Sequence, residues 1–419
     1  MNAASPATWP THSALELRES LLDTDVPRLR KLISTAPASS YNAYTTMNQR
    51  AIRICFTLGG IFFICFLFWH FELSNHQIVS PLPIISDSAN NEGAKTGATS
   101  SNQHLVLYTG PITNVFFHSL VIYPEKAAAD PLNARLIQNN MITVDQFKKI
   151  LQELYDDNFI LYDPRLLYSI DSAGIMHRGK VYVPKGKKPL ILSIDDLDYY
   201  TWMKNDGFAD KLVIENGAVK TEVVTPDGSI AHTSDGDVVP IVDSFVAQHP
   251  DFSFDGMRGV IGVTGFEGIL GYRTQLVGAA GDQQRQEAVQ VVDALKKSGW
   301  IFASHSYRHG RDFLTGNMST SSLATDIRLW KAQVEPLVGA TNMFIGPFGR
   351  TFSDGDPRRS ELLAAGFNVL YGVGTDGYMK YFGTYLVMDR IDIDGYRLAH
   401  NASFLQTHLG FWANVRRRP

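Results

Sequence analysis

The chain has 419 residues, of which 44% are hydrophobic and 19% are charged. This composition is that of a folded protein and excludes an intrinsically disordered one, and the length allows one large domain with appendages. A net charge of −4 gives no support to nucleic-acid binding. The two cysteines, Cys55 and Cys65, lie in one apolar segment, so the rest of the chain can hold neither a disulfide framework nor a thiolate metal site.

That apolar segment runs from residue 54 to residue 71 and contains no Asp, Glu, Lys or Arg. It is close to the minimum of ~17 residues that a helix needs to cross a bilayer. The polar stretches on both sides argue against burial in a core, and a cleaved signal peptide would begin nearer the N-terminus. The segment therefore predicts a single transmembrane helix.

Flanking charge predicts the orientation of this helix. Arg50 and Arg53 lie just before it, whereas no Lys or Arg follows closely on the other side. The positive-inside rule then places the N-terminus in the cytoplasm. We expect a cytoplasmic tail over residues 1–53, a flexible Ser-, Asn-, Gly- and Pro-containing stalk over 72–103, and an extracytoplasmic domain over 104–419 at the cell membrane.

Strand-like and helix-like patterns alternate along this last part of the chain. Thr143 is a helix N-cap signal before periodic apolar residues, and two turn dipeptides, Asn216-Gly217 and Asp227-Gly228, predict a hairpin over 213–230. The expected strands lie at 106–108, 115–117, 190–194, 260–263, 300–303 and 343–345, and the expected helices at 142–156, 284–297 and 323–335. This alternation predicts an α/β fold with a mostly parallel sheet.

Candidate functional residues come directly after three of the expected strands. They are the acidic pair Asp195-Asp196, then His305, and then Pro347-Phe348-Gly349. The C-terminal strand ends of a (β/α) barrel form one rim, where catalytic groups gather. We therefore expect these residues to lie close together.

The residue types in this group suit metal-assisted hydrolysis. The four-residue spacing of His305 and His309 predicts both rings on one side of a helical turn. Asp195, Asp196 and Asp198 could instead form an acidic turn or cap. Metal-assisted hydrolysis, however, requires one carboxylate that binds the metal and a neighbouring one that transfers protons. A divalent metal is expected, with zinc the first choice.

Three segments together resemble a known family: Ser193-Ile194-Asp195-Asp196, His305-Ser306-Tyr307-Arg308-His309 and Pro347-Phe348-Gly349. They are similar to the first three motifs of the polysaccharide deacetylases, the NodB-homology group of carbohydrate esterases, and the likeness extends over roughly residues 186–375. The resemblance implies a distorted (β/α) barrel and metal-dependent removal of acetyl groups from an N-acetylated sugar. It makes Asp195 the general base and the backbone N–H of Phe348 a donor to the oxyanion. The metal ligands that it implies are Asp196, His305 and His309.

The sequence departs from the family pattern at several positions. Leu197 replaces the glycine that usually follows the acidic pair, and Ile345 stands where an arginine usually orients the base. Arg390 is a candidate to approach that base from a later strand. Leu398-Ala399-His400 is the candidate for the late Leu-x-His motif, which makes His400 the candidate general acid. The alternative is a surface histidine near the C-terminus.

The sequence thus predicts a membrane-anchored, metal-dependent deacetylase that acts on an N-acetylhexosamine-containing polysaccharide of the cell envelope. One alternative is a glycan-binding module on the same barrel that turns over poorly, because the usual arginine is missing. Another is a glycoside hydrolase that uses two carboxylates. The first alternative predicts glycan retention without acetate release, and the second predicts new reducing ends and indifference to chelators.

Overall fold

A computed structural model describes residues 104–374 and 377–409. The predicted cytoplasmic tail, transmembrane helix and stalk all lie outside the described residues. Within the described part of the chain, no helix has the length and apolar character needed to cross a membrane.

The described residues form strands and helices that alternate along much of the chain. The strands are β1 Leu105–Leu107, β2 Thr113–Phe117, β3 Phe159–Leu161, β4 Tyr168–Ile170, β5 Met176–Arg178, β6 Tyr182–Pro184, β7 Lys188–Ile194, β8 Lys211–Glu215, β9 Ala218–Val224, β10 Ile230–Thr233, β11 Gly259–Val263, β12 Trp300–Ser304, β13 Met343–Ile345, β14 Val369–Val373, β15 Met379–Tyr381 and β16 Leu386–Asp392. The helices are α1 Pro124–Ala129, α2 Ala134–Asn140, α3 Val144–Asp156, α4 Val238–Gln248, α5 Gly278–Ser298, α6 Arg311–Thr315, α7 Thr320–Gln333, α8 Glu335–Val338, α9 Pro357–Ala364, α10 Gly395–His400 and α11 Ala402–Leu409.

Seven parallel strands of the described residues close a barrel in the order β2, β7, β11, β12, β13, β14 and β16. The ring closes where β16 pairs with β2, with Ile391 opposite Val115. β3 pairs with the first half of β7, and β15 adds to β16 as an antiparallel strand. The predicted α/β fold is therefore confirmed as a (β/α) barrel, with seven strands in the ring rather than the usual eight.

Two apolar clusters explain how β7 presents the acidic pair. Leu190, Leu192 and Ile194 belong to a core that also contains helix residues, whereas Ile191 belongs to a cluster inside the ring. The inner cluster draws on β7, β11, β12, β13, β14 and β16. Because successive strand residues alternate between faces, Asp195 lies on the same side as Ile191, at the open end of the barrel.

Most local predictions hold, with shifted boundaries. Thr143 caps α3 through a capping box with Gln146, as its position before the apolar periodicity indicated. The predicted hairpin is the first part of a three-stranded antiparallel sheet of β8, β9 and β10. Helix α5 begins at Gly278, earlier than predicted, and α7 ends at Gln333, shortly before Pro336 enters the first turn of α8.

Candidate active site

Three side chains from two strand ends meet at the barrel rim. Asp196 follows β7, and His305 and His309 follow β12. Asp196 Oδ2 lies 3.7 Å from Nε2 of His305 and 3.7 Å from Nε2 of His309. Each of the three residues offers one ligand atom, and these atoms all lie within 4.8 Å of one another. Among the described residues, this group could therefore hold a metal ion. We call this group the metal triad.

The donor set of the metal triad fits a divalent cation. Ligand bonds of about 2.1 Å at a tetrahedral angle separate two donor atoms by about 3.4 Å, close to the 3.7 Å observed here. His305 donates from Nδ1 to the Ile345 carbonyl at 2.9 Å, which leaves Nε2, on the side of Asp196, as the ring nitrogen that can bind a cation. Such an outer hydrogen bond is the usual way to fix the tautomer of a metal-binding histidine.

The electrostatics of the metal triad favour positive charge at its centre. Burial alone would lower the pKa of His305, but the carboxylates of Asp196 and Asp195 raise it to about 9. Burial opposes ionisation of Asp196 as well, yet His309 and His305 hold the pKa of that carboxyl well below its ordinary value. In the protein without metal a proton on His305 thus balances the buried carboxylates, and a cation would replace it.

The segment between the two histidines is a loop, so the prediction of a helical turn there was wrong. Ser306 and His309 have positive φ angles of 60° and 48°, which an α-helix does not allow. Buried Asp326, from α7, accepts the backbone N–H groups of Tyr307 at 2.6 Å and Arg308 at 3.1 Å. Ser306 Oγ accepts the N–H of His309 at 3.0 Å. These side-chain acceptors replace helical hydrogen bonds and still bring both rings together.

The candidate base Asp195 is held by an arginine from the last barrel strand. Arg390 donates to both carboxylate oxygens of Asp195, at 2.6 and 2.8 Å, and also to Ser193 Oγ at 3.1 Å. Its guanidinium lies 4.1 Å from the centre of the Phe116 ring. Arg390 and Asp195 are both buried. Arg390 thus contacts the base from β16, as conjectured, in a chain that has Ile345 at the usual arginine position. Burial raises the pKa of Asp195, but Arg390 together with His305 and His118 outweighs it and keeps the pKa below its ordinary value, so the carboxylate is ionised and able to accept a proton.

Phe348 lies beside the metal triad in the short helical turn that follows β13. Its backbone is left-handed, with φ 54° and ψ 27°, and its side chain is 43% exposed. The ring centre lies 4.5 Å from that of His309. Its position at the rim is compatible with the predicted oxyanion-donor role of its N–H, which stays a prediction.

The sequence reasoning missed His118, the first residue after β2. Phe117 is opposite Ile194 in the parallel β2–β7 pair, and the Phe117 carbonyl accepts the N–H of Asp195 at 2.9 Å. His118 and Asp195 therefore leave neighbouring strands side by side. Burial and the larger effects of Arg390 and His305 come first, and His118 also helps to lower the pKa of Asp195. Its Nδ1 is buried and has no hydrogen-bond partner among the described residues. Its place directly after an expected strand was the available signal.

His400, the predicted general acid, is the last residue of α10 and is exposed. Its Nδ1 donates to the Tyr396 carbonyl at 2.9 Å, and its ring stacks on Tyr396 at 4.4 Å. Within the described residues, its hydrogen bond and ring contact are thus both to its own helix. The structure does not show His400 in contact with the metal triad, and its catalytic role stays a prediction.

Comparisons with known proteins concern the fold. No protein-family model matches the sequence, and no curated protein matches it. A solved de-N-acetylase from Aggregatibacter actinomycetemcomitans is 14% identical, with a TM-score of 0.42 over 71% of this chain and 100% of that one. A structure from Mycobacterium smegmatis described as a polysaccharide deacetylase is 13% identical, with a TM-score of 0.24 over 36% of this chain and 44% of that one. The described residues form a (β/α) barrel whose rim carries the three sequence motifs, and the family itself stays what the motifs imply.

Proposed function

We propose that this protein is a metal-dependent deacetylase that hydrolyses N-acetyl groups of an N-acetylhexosamine-containing polysaccharide. The observation that carries the proposal is the metal triad beside a second, ionised carboxylate: Asp196 with His305 and His309, next to Asp195 paired with Arg390. One carboxylate can bind a cation while its neighbour accepts a proton. Metal-assisted hydrolysis of an amide by water needs both functions.

In the proposed reaction each group has one task. Asp196, His305 and His309 would hold a divalent cation, zinc first, which when bound acidifies water and polarises a carbonyl. Asp195 accepts the proton of the attacking water, and Arg390 keeps both of its carboxylate oxygens in place for that transfer. As negative charge develops on the former amide oxygen, a backbone N–H at the rim stabilises it, and Phe348 is our candidate donor.

The leaving amine needs a proton; His400 stays the donor that the sequence resemblance implies, and we propose that His118 delivers the proton instead. This histidine leaves the strand next to that of Asp195, and no hydrogen bond to a described residue engages its buried Nδ1. His400, in contrast, is exposed, and its Nδ1 is hydrogen-bonded to the Tyr396 carbonyl of its own helix. We expect His118→Gln to lower kcat by about 10²- to 10⁴-fold, the usual contribution of a general acid, with metal content unchanged, whereas His400→Gln stays near wild type. The reverse ranking of the two variants would restore His400 to the role.

The decisive experiment measures acetate released from N-acetylated glycans by the full chain purified in detergent, with and without a chelator. We expect release that stops when metal is removed, returns when zinc is restored, and is abolished in Asp196→Ala. Glycan retention without acetate would favour the binding-module alternative. New reducing ends that are indifferent to the chelator would favour a two-carboxylate glycosidase.

The cell envelope and a membrane anchor are also part of the proposal, and they rest on the sequence alone, on the apolar residues 54–71 and on Arg50 and Arg53 before them. The full chain is expected to fractionate with membranes, and a chain lacking residues 1–71 is expected to be released from them. Protease added to intact cells should cleave the C-terminal domain. Recovery of the full chain in the soluble fraction would contradict this part of the proposal.

A further inference from the structure

Tyr200 makes a set of short contacts just behind the metal triad. Its hydroxyl lies 2.6 Å from Asp196 Oδ1, 2.9 Å from Thr264 Oγ1 and 3.1 Å from Asp198 Oδ2. The side chain is buried, and its ring stacks on Phe266 with the centres 5.2 Å apart. The phenol is thus held on one side by a ring and on the other by polar groups from two barrel strand ends.

The single proton of this hydroxyl belongs with Asp196. The contact with Asp196 is the shortest of the three, and Asp198 already accepts from both the backbone N–H and the hydroxyl of Thr264, at 2.9 and 2.8 Å. A hydroxyl has one hydrogen to donate, and a donor-to-carboxylate bond of this length is a strong one. Tyr200 therefore donates to Oδ1 of Asp196.

This bond decides which carboxylate oxygen of Asp196 faces the histidines. Oδ1 is taken by Tyr200, and Oδ2 is the oxygen that lies 3.7 Å from Nε2 of His305 and of His309. A carboxylate bound to a metal through one oxygen needs its second oxygen satisfied, because a free rotation of the group would lose the ligand geometry. Thr264, whose hydroxyl contacts that of Tyr200, comes directly after β11. This contact therefore links the Tyr200 hydroxyl to the strand that pairs with β7.

We propose that Tyr200 is a positioning residue for the metal ligand Asp196, acting through the hydrogen bond from its hydroxyl to Oδ1. The inference rests on the metal site of the proposed function. A merely structural role for this hydroxyl would instead affect folding and leave metal affinity unchanged. The two roles are separable because the metal-free protein can be studied by itself.

The test compares Tyr200→Phe with Tyr272→Phe in the full chain. Tyr272 is also buried, and its hydroxyl donates one hydrogen bond to the Leu212 carbonyl at 2.8 Å, outside the metal triad. Zinc affinity is measured by competition with a chromophoric chelator, and thermal melting is measured on the metal-free proteins. We expect Tyr200→Phe to bind zinc about 10- to 100-fold more weakly than wild type, the usual effect of losing an outer-shell partner. Tyr272→Phe should keep the wild-type affinity.

The possible outcomes separate this inference from the proposed function. If the wild-type chain binds no zinc, the metal site itself fails. If it binds zinc and Tyr200→Phe binds equally well, the positioning role alone is refuted. Should Tyr200→Phe lose both affinity and melting temperature, the change is repeated in Asp196→Ala. If Tyr200→Phe still lowers the melting temperature when Asp196 is absent, the hydroxyl acts in folding and the proposal is overturned. If Tyr200→Phe no longer lowers the melting temperature in that background, the proposal is supported.

Discussion

Replacing Arg390 by methionine is expected to destabilise the protein strongly. The side chain is fully buried, and its partner Asp195 is 4% exposed, so the change leaves an ionised carboxylate unpaired in the interior. Breaking such a buried pair typically costs about 3–5 kcal/mol. His305 remains near Asp195, with its Nε2 3.9 Å from Oδ2, and compensates in part. We therefore expect a loss of about 3 kcal/mol in the free energy of unfolding at pH 8.

The pH dependence of this loss provides a second check. In the wild type Arg390, with the nearby histidines, overcomes burial and keeps the pKa of Asp195 below its ordinary value, so the stability from the pair is present at neutral pH and is lost only as the pH falls through that low pKa. Without Arg390, burial dominates and raises the pKa of Asp195 above its unfolded value of about 3.9. The variant then becomes relatively more stable as the pH falls and Asp195 takes up a proton. The difference between the two proteins should be largest at pH 8 and smaller at pH 5.

Urea unfolding in the presence of a chelator measures both effects, with Arg165→Met as the matched control. Arg165 makes the same kind of two-point contact with Asp163, at 2.6 to 3.0 Å, but its side chain is 57% exposed. An exposed pair contributes at most about 1 kcal/mol. The reasoning fails if Arg390→Met unfolds within about 1 kcal/mol of wild type at pH 8, or if its deficit grows as the pH is lowered.

Two further predictions follow from buried carboxylates. Asp326→Ala removes the acceptor for two backbone N–H groups of the histidine loop, so zinc affinity in a chelator competition should fall about tenfold; an unchanged affinity would show that the loop keeps its shape without Asp326. Burial raises the pKa of Asp237, the N-cap of α4, to about 6. The stability that its protonated form contributes is present at pH 4 and lost as the pH rises through 6. Asp237→Asn should therefore flatten the decline in unfolding free energy from pH 4 to pH 7 by about 3 kcal/mol relative to wild type, and parallel curves for the two proteins would count against it.

The sequence predicted those site residues whose placement depends on local structure. Asp196 and His305 each follow an apolar run, and in a parallel barrel a residue after a strand lies at one rim whatever its neighbours are. The histidine loop shows the limit of such reasoning. A four-residue spacing is compatible with a helical turn, but the loop conformation depends on Asp326, which comes from a helix later in the chain. No pattern within residues 305–309 reports that partner.

Arg390 and His118 were harder to predict because their roles depend on which strands pair. The β16 sequence Leu386–Asp392 carries a lone arginine among mostly apolar residues, and it contacts Asp195 because β16, β2 and β7 are consecutive in the ring. Pairing between segments this far apart is set by the whole barrel, and one sequence does not encode it in any local pattern. His118 follows an expected strand, as Asp195 does, but that signal becomes informative only when β2 is known to lie beside β7.

The order of the strands decides which residues the proposed catalytic unit must include. The likeness in sequence motifs covers roughly residues 186–375, and this segment contains Asp195 and the whole metal triad. It contains neither His118, which follows β2, nor Arg390, which lies in β16, the last strand of the described ring. Both reach Asp195 because β2 sits between β16 and β7, where the ring closes. The charge state of the candidate base Asp195 therefore depends on closure of the barrel. The motif-bearing segment alone would contain the candidate metal ligands and Asp195 but not Arg390.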